Sequence, residues 1–199
     1  MSDKAFDIEL NELELKYRAD DISLTDFISL MESMSPERKL EVSSWDIYYA
    51  GNKYGLPFDF IRHRKGDVPE LTIKIRNSEK NNQDRFELDL KIHPSMSSRI
   101  VAKFANIIGF EENFRIYKDC TIYWLPKVDL VYYIVYDKNK KEKARFIEIE
   151  ARKDVLFDSP EEAWNLLKET EAKLAQFGIT PQSRMKKSLW DMFKKDTQK

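Results

Sequence analysis

Two short segments constrain this chain more than any other feature: Glu12-Leu13-Glu14-Leu15-Lys16 and its later echo, Arg85-Phe86-Glu87-Leu88-Asp89-Leu90-Lys91. Strict alternation of charged and apolar residues is a β pattern, because successive side chains on a strand point to opposite faces. Glu12, Glu14, Lys16 and Arg18 therefore share a face, with Leu13, Leu15 and Tyr17 behind them. In the echo Arg85, Glu87, Asp89 and Lys91 share a face, opposite Phe86, Leu88, Leu90 and Ile92. Acids and bases mixed on one strand face fit two structures. One is a solvated sheet face with charges interleaved for solubility. The other is a polar cavity whose carboxylates hold a metal and whose cations hold an anion. The number of other strands that repeat the pattern decides between them.

The pattern continues along the chain. Residues 7–19 read as the first strand, and Ser23 opens a helix to about Met34 with Leu24, Phe27, Ile28 and Met31 at helical spacing. Leu40–Ala50, Leu56–Lys65 and Glu70–Arg76 read as strands, the second carrying Arg62 and Arg64 on one face and the third Thr72, Lys74 and Arg76. The order then repeats with a strand at Arg85–Ile92, a helix at Ser95–Ile108 and strands at Phe114–Leu125, Val128–Tyr136 and Ala144–Arg152. The last of these puts Phe146, Glu148, Glu150 and Arg152 on one face. Ser159-Pro160 has the signature of a helix start, reaching Phe177, and Pro181–Lys194 reads as a final helix.

Each half thus reads strand, helix, strand, strand, strand, with the halves at residues 7–77 and 84–152 and C-terminal helices at 159–195. A single domain of 199 residues built by duplication is expected. The fold class is α+β: an eight-stranded antiparallel closed barrel from two βαβββ halves, with helices packed outside. Eight strands enclose an interior filled by side chains or one small ligand, and closure removes exposed edges.

Five strands carry charges on one face, and convergence on a barrel lumen explains the mixture of signs better than a solvated surface. Buried charges need partners or a ligand to offset desolvation. Oxygen-only ligands from the two Glu-x-Glu pairs, Glu12/Glu14 and Glu148/Glu150, suit Mg²⁺ or Mn²⁺. The Lys and Arg side chains around them suit phosphate oxygens, so the implied ligand is a polyphosphate. The charged fraction is high at 35%, yet the net charge is −1, which argues against a globally basic nucleic-acid binder. The single cysteine, Cys120, allows neither an internal disulfide nor a thiolate metal cluster. With no apolar run of membrane-spanning length, no membrane role is expected, and the cytoplasm is the expected location.

Taken together, these motifs resemble the CYTH superfamily, the triphosphate tunnel metalloenzymes. Glu12-x-Glu14-x-Lys16 is similar to the family signature, and Trp45-Asp46-Ile47-Tyr48-Tyr49 to its aspartate-tyrosine second strand. Arg62-x-Arg64, Leu71-Thr72-Ile73-Lys74, Arg85-x-Glu87-x-Asp89 and Phe146-Ile147-Glu148-Ile149-Glu150 follow in the family's order, and Lys187-Ser188-Leu189-Trp190 is similar to its C-terminal Lys-Ser-Tyr. The resemblance implies an eight-stranded tunnel that binds a triphosphate with a divalent cation. It implies that Glu12, Glu14, Glu148 and Glu150 serve the metal and the catalysis, with Glu87 and Asp89 as outer or second-metal ligands. Lys16, Arg18, Arg62, Arg64, Lys74, Arg76, Arg85, Lys118 and Lys187 are the expected substrate ligands. One departure stands out: the family's sixth-strand Lys-x-Arg is here Lys118-Asp119-Cys120, which removes a cation unless Arg115 compensates.

The leading expectation is a hydrolase of ATP, tripolyphosphate or thiamine triphosphate, acting as a monomer or homodimer. A class IV-like adenylate cyclase shares the same ligands and is the alternative. A non-catalytic nucleotide or polyphosphate binder is a third reading, and an RNA 5′-triphosphate is a further substrate that the resemblance admits. His63 falls on the face opposite Arg62 and Arg64 and is expected to pack. Trp124, Tyr132 and Tyr133 are expected to pack against helices, and Cys120 to behave as a small buried hydrophobe.

Overall fold

The computed structural model describes residues 12–51, 53–56, 58–76, 84–152 and 154–195, with the backbone alone for Glu12, residues 75–76 and residues 84–86. The first half of the chain contains β1 (Glu12–Arg18), α1 (Leu24–Ser33), β2 (Arg38–Ala50), β3 (Phe60–Gly66) and β4 (Glu70–Arg76). The second contains β5 (Asp84–Lys91), α2 (Ser98–Ile107), β6 (Glu111–Trp124), β7 (Val128–Tyr136) and β8 (Glu142–Ala151), followed by α3 (Pro160–Lys173) and α4 (Leu189–Phe193).

The helices begin where their caps dictate. Ser23, Ser97 and Ser159 each accept a hydrogen bond from the backbone N–H three residues on, satisfying donors that the first turn leaves without partners. The expected helix over Pro181–Lys194 is not continuous. It is a 3₁₀ turn at Pro181–Ser183, an extended stretch, and then α4. The reason is a competing hydrogen-bond partner: Arg184 bridges to Tyr17, and the Met185 N–H donates to the Lys16 carbonyl at 2.7 Å. β3 starts at Phe60 rather than Leu56. The β7–β8 loop manages without a glycine because Lys140 takes a positive φ of 58° while the Asp137 carboxylate accepts the Asn139 and Lys141 N–H groups.

All the strand pairings are antiparallel, in the order β1-β5-β4-β3-β2-β6-β7-β8, and β8 returns to β1. The sheet is curled through eight strands, as expected. Among the described residues, β1 and β5 are in register at Glu12↔Arg85 and Leu13↔Asp84. Farther along β1, the edge away from β8 is taken by Arg184 and Met185. The C-terminal segment is therefore paired to β1 on that side.

Strand parity sorts the side chains. Outward-facing Leu15, Tyr17, Leu130, Tyr132, Ile147 and Ile149 form one core with Phe27 and Met31 of α1 and Leu167 of α3. Outward-facing Ile47, Tyr49, Ile61 and Leu71 form another with Val101 and Ala105 of α2. Tyr132 packs on Phe27, as expected of it, and donates to the Ile22 carbonyl at 2.9 Å. A third cluster lies on the inward face: Tyr48, Phe60, Phe114, Phe146 and Trp190 fill one end of the lumen. Among the described residues no helix is long and apolar enough to cross a membrane.

Because the lumen is charged, α3 is a principal source of apolar burial for β1 and β8. Leu167 is 0% exposed, so Leu167→Ala is expected to lower unfolding stability in urea by about 2–5 kcal/mol. A loss under about 1 kcal/mol would show that α3 is not anchored to the sheet through this residue.

Candidate active site

The inward faces of the strands enclose a cavity of about 240 Å³. Its described lining contains five cationic side chains, Lys16, Arg62, Arg64, Lys74 and Lys118, and six carboxylates, Glu14, Glu70, Glu87, Asp89, Glu148 and Glu150. Tyr48, Tyr133, Phe60 and the Ser188-Leu189-Trp190 corner complete it.

On the β2–β3–β4 wall, Asp46 is 0% exposed between two cations. Arg64 Nε donates to its Oδ1 at 3.1 Å, and Lys118 Nζ lies 2.8 Å from its Oδ2 as an ion pair without hydrogen-bond alignment. Burial alone would raise the Asp46 carboxyl. The Arg64, Lys118 and Arg62 charges outweigh it and hold the group well below the usual carboxylate range. Arg62 is gripped at Nη2 by Thr72 Oγ1 at 2.8 Å and Glu70 Oε1 at 3.2 Å, with Glu87 at 3.5 Å. Its Nε is buried and makes no hydrogen bond. Leaving a buried donor unsatisfied costs about 1–3 kcal/mol. Thr72 also donates to Asp89 at 2.7 Å, and Lys74 Nζ lies 2.9 Å from Glu87 Oε2. Burial and the Asp46 charge push the Tyr48 phenol up to about 12.

The opposite wall is built by β1 and β8, whose register sets Glu14 beside Glu150 and Lys16 beside Glu148. Lys16 Nζ donates to Glu148 Oε1 at 2.6 Å, and the Tyr133 hydroxyl donates to the same oxygen at 2.7 Å. Burial pushes Glu148 up, but Lys16, Tyr133 and Lys118 hold it below its usual value, so it stays ionised. Burial and the Glu148 charge push the Tyr133 phenol well above its usual value, which keeps it a donor. Oxygen atoms of Glu14, Glu148 and Glu150 lie within 4.8 Å of one another. Three clustered carboxylates form a hard, oxygen-only donor set, which fits Mg²⁺ or Mn²⁺.

Most residues expected in the lumen are brought together there: Glu14, Lys16, Arg62, Arg64, Lys74, Glu87, Asp89, Lys118, Glu148 and Glu150. The side chains of Glu12, Arg76 and Arg85 lie outside the described residues. Two expectations fail on position. Arg18 has the right parity but sits beyond the cavity, its side chain 42% exposed, donating to Asp20 at 2.5 Å. Lys187 is exposed, and it is the next three residues that reach the cavity. Arg152 is likewise absent from the described lining, bound to Glu37 and Asp154 at 2.8 Å each. Arg115 does not compensate for Cys120, because it faces outward and pairs with Glu112 at 2.6 Å. Cys120 packs against the inward apolar cluster, and burial raises its thiol. His63 is buried on the outer face, as expected.

Local sequence pattern assigns no site role to Asp46 or Glu70, which stand only within the Trp45–Tyr49 motif and at the start of a strand. Tyr133, expected to pack against a helix, instead points inward to Glu148. Parity could have found Asp46, since it alternates with Ser44 and Tyr48 on the face opposite Ile47 and Tyr49.

No family model and no curated protein matches the sequence. Solved structures of low identity share the fold. A Pyrococcus horikoshii protein is 19% identical with a TM-score of 0.69, the match covering 92% of this chain and 99% of that one. A Vibrio parahaemolyticus protein described as a proposed adenylate cyclase is 13% identical with a TM-score of 0.62, covering 90% and 95%. A chain of the Schizosaccharomyces pombe Mediator head module is 12% identical with a TM-score of 0.60, covering 84% and 96%. At these identities the likeness is one of fold alone. One fold under such different descriptions does not choose an activity, so the choice rests on the lining of the lumen.

Asp46 offers a direct check on the charge network. Asp46→Asn keeps the shape but leaves Arg64 and Lys118 without their shared acid, and is expected to cost about 3–5 kcal/mol at pH 7. The wild-type contribution is present above the unfolded carboxyl value of 3.8 and is lost as pH falls toward the depressed folded value. Urea unfolding should therefore show a shallower acid dependence below about pH 4 in the variant. Identical acid limbs would place Asp46 outside the network.

Proposed function

We propose that the protein binds a triphosphate together with a divalent cation in this lumen and hydrolyses it. The observation that carries the reading is the division of the cavity: three clustered carboxylates on β1 and β8 face a wall of cations on β3, β4 and β6. A fixed cation bound to Glu14, Glu148 and Glu150 would supply charge neutralisation on phosphate oxygens and a more acidic water. Arg62 and Arg64 would bind phosphate oxygens through their planar guanidinium groups, and Lys16, Lys74 and Lys118 as point charges. Glu70 and Glu87 hold Arg62, Glu87 holds Lys74, and Asp46 holds Arg64 and Lys118, while Asp89 holds the Thr72 hydroxyl that binds Arg62.

The charge balance favours joint binding of metal and anion. With six carboxylates against five cations in the described lining, an anion alone would enter a field already rich in negative charge. A divalent cation at the glutamate cluster removes that obstacle. In the hydrolysis, water oxygen adds to the terminal phosphorus and gives up a proton to solvent, the bridging P–O bond breaks with its electron pair going to the departing diphosphate unit, and the attacked phosphoryl is released as orthophosphate. Catalysis of this kind is mostly positioning and charge neutralisation, which is what the lumen wall supplies.

The test is product analysis with tripolyphosphate, ATP and thiamine triphosphate, with and without Mg²⁺ or Mn²⁺. Metal-dependent release of free phosphate is expected. Pyrophosphate with cyclic AMP would instead make the protein a cyclase. No turnover, with the triphosphate still raising the melting temperature, would make it a binding protein. No turnover and no thermal shift would overturn the lumen as a ligand site. Two substitutions sharpen the assignment. Glu148→Gln is expected to lower metal-dependent turnover by about 10²-fold or more while the protein stays folded. Arg62→Ala is expected to weaken triphosphate binding about tenfold or more, as loss of a charged hydrogen bond does. Unchanged affinity would remove Arg62 from the binding wall.

A further inference from the structure

We propose that Tyr133 is a positioning residue that fixes the Glu148 carboxylate in its cation-holding orientation, an inference that rests on the divalent-cation reading above. Tyr133 lies on β7 and is 1% exposed. Its ring stacks on Phe146 with centroids 5.2 Å apart and an interplanar angle of 28°. The Lys16 and Lys118 ammonium groups lie 5.3 Å and 5.2 Å from the ring centroid. The ring is thus held by an aromatic neighbour and two cations, and its hydroxyl has one described partner, Glu148 Oε1 at 2.7 Å.

The geometry divides the carboxylate. Glu148 sits on β8, and both of its donors come from the flanking strands, Lys16 from β1 and Tyr133 from β7. Both act on Oε1. Both described donors thus hold the carboxylate by one oxygen, while a carboxylate oxygen of Glu148 lies within 4.8 Å of those of Glu14 and Glu150.

The two donors are not equivalent. Lys16 is a point charge on a flexible stem and is itself a proposed phosphate ligand, so a phosphate oxygen can draw it away from Glu148. Tyr133 is rigid, with two side-chain torsions and a packed ring, and no phosphate competes for it as a cation. When substrate takes Lys16, Tyr133 is the donor that keeps Glu148 aimed at the cation.

Tyr133→Phe tests this, because it keeps the ring, its stacking and its cation contacts while removing the hydroxyl. The readout is Mn²⁺ alone, by calorimetry and by its electron paramagnetic resonance line shape, on the wild type, Tyr133→Phe, Glu148→Gln and the double variant. The expected result is a Mn²⁺ Kd raised about tenfold or more by Tyr133→Phe, within the range seen when groups orienting a ligand are lost. In the Glu148→Gln background the same change should alter the Kd less than about twofold, because the carboxylate it orients is gone. Wild-type affinity and line shape in Tyr133→Phe would overturn the proposal. So would an equal loss in the Glu148→Gln background, or a Phe variant that does not fold, since either makes the hydroxyl a general structural element. A wild type that binds no Mn²⁺ would overturn the cation reading itself and this inference with it, and is told apart because the parent protein fails first.

Discussion

The structure depends on one constraint: ionised side chains are held together inside a curled sheet, away from bulk water. Desolvating each costs several kcal/mol unless a partner lies close. The chain meets the constraint by interleaving signs. Arg64 and Lys118 share Asp46, Lys74 meets Glu87, Lys16 meets Glu148, and Arg62 is held by Thr72, Glu70 and Glu87. Ion pairs in such a setting roughly offset their own burial and leave little net stability. The stabilising apolar burial must therefore lie largely elsewhere. It lies outside the sheet, where α1 and α3 cover one sector and α2 covers another. This is a barrel with much of its polarity inside and its main hydrophobic cores outside.

The inward aromatic cluster and the C-terminal segment follow from the same constraint. One end of the lumen is filled by Tyr48, Phe60, Phe114 and Trp190, which narrows the part of the interior that charges must occupy. Trp190 is delivered by a segment fixed at both ends. Upstream, Arg184 makes paired bonds to Glu171 of α3 at 2.7 and 2.5 Å, and Tyr17 donates to the same carboxylate at 2.6 Å. Downstream, the Lys195 N–H donates to Asn113 at 2.8 Å. The Met185 N–H binds the carbonyl of Lys16, whose side chain meets Glu148. The tail is thereby tied into the backbone of the strand that carries the lumen charges.

The legible part of this arrangement was a matter of parity. Alternation in Glu12–Lys16 and Arg85–Lys91 assigns faces, and repetition over five strands calls for a common interior. Parity does not report how far along the axis a side chain lies. Arg18 shares a face with Glu14 and Lys16, yet it lies past the cavity and bonds to Asp20. It also fails where both faces are apolar to the eye. Val128–Tyr136 alternates Leu130, Tyr132 and Ile134 outward with Val131, Tyr133 and Val135 inward, and nothing in residue type separates the two sets. The inward role of Tyr133 depends on Glu148 across the β7–β8 pairing, a long-range relation that no local pattern encodes. The fragmented C-terminal helix was illegible for the same reason, since its backbone donors are claimed by β1 rather than by its own preceding turn.

Cys120 shows how these relations bear on the site's chemistry. It lies on the inward face of β6, two residues from Lys118 and directly across from Tyr133. The resemblance puts a cation here, and Arg115 cannot replace it from the outer face. The described cations that remain sit chiefly on β3, β4 and β6, with Lys16 alone on the β1–β8 side. A guanidinium at position 120 would carry a charge into the neighbourhood of Tyr133 and Glu148, where it would compete for the carboxylate that the phenol holds. The neutral, half-buried thiol carries no such competing charge. Position 120 therefore places no charge beside the Tyr133–Glu148 bond, and the phenol remains the neutral donor on that carboxylate, next to the ammonium of Lys16.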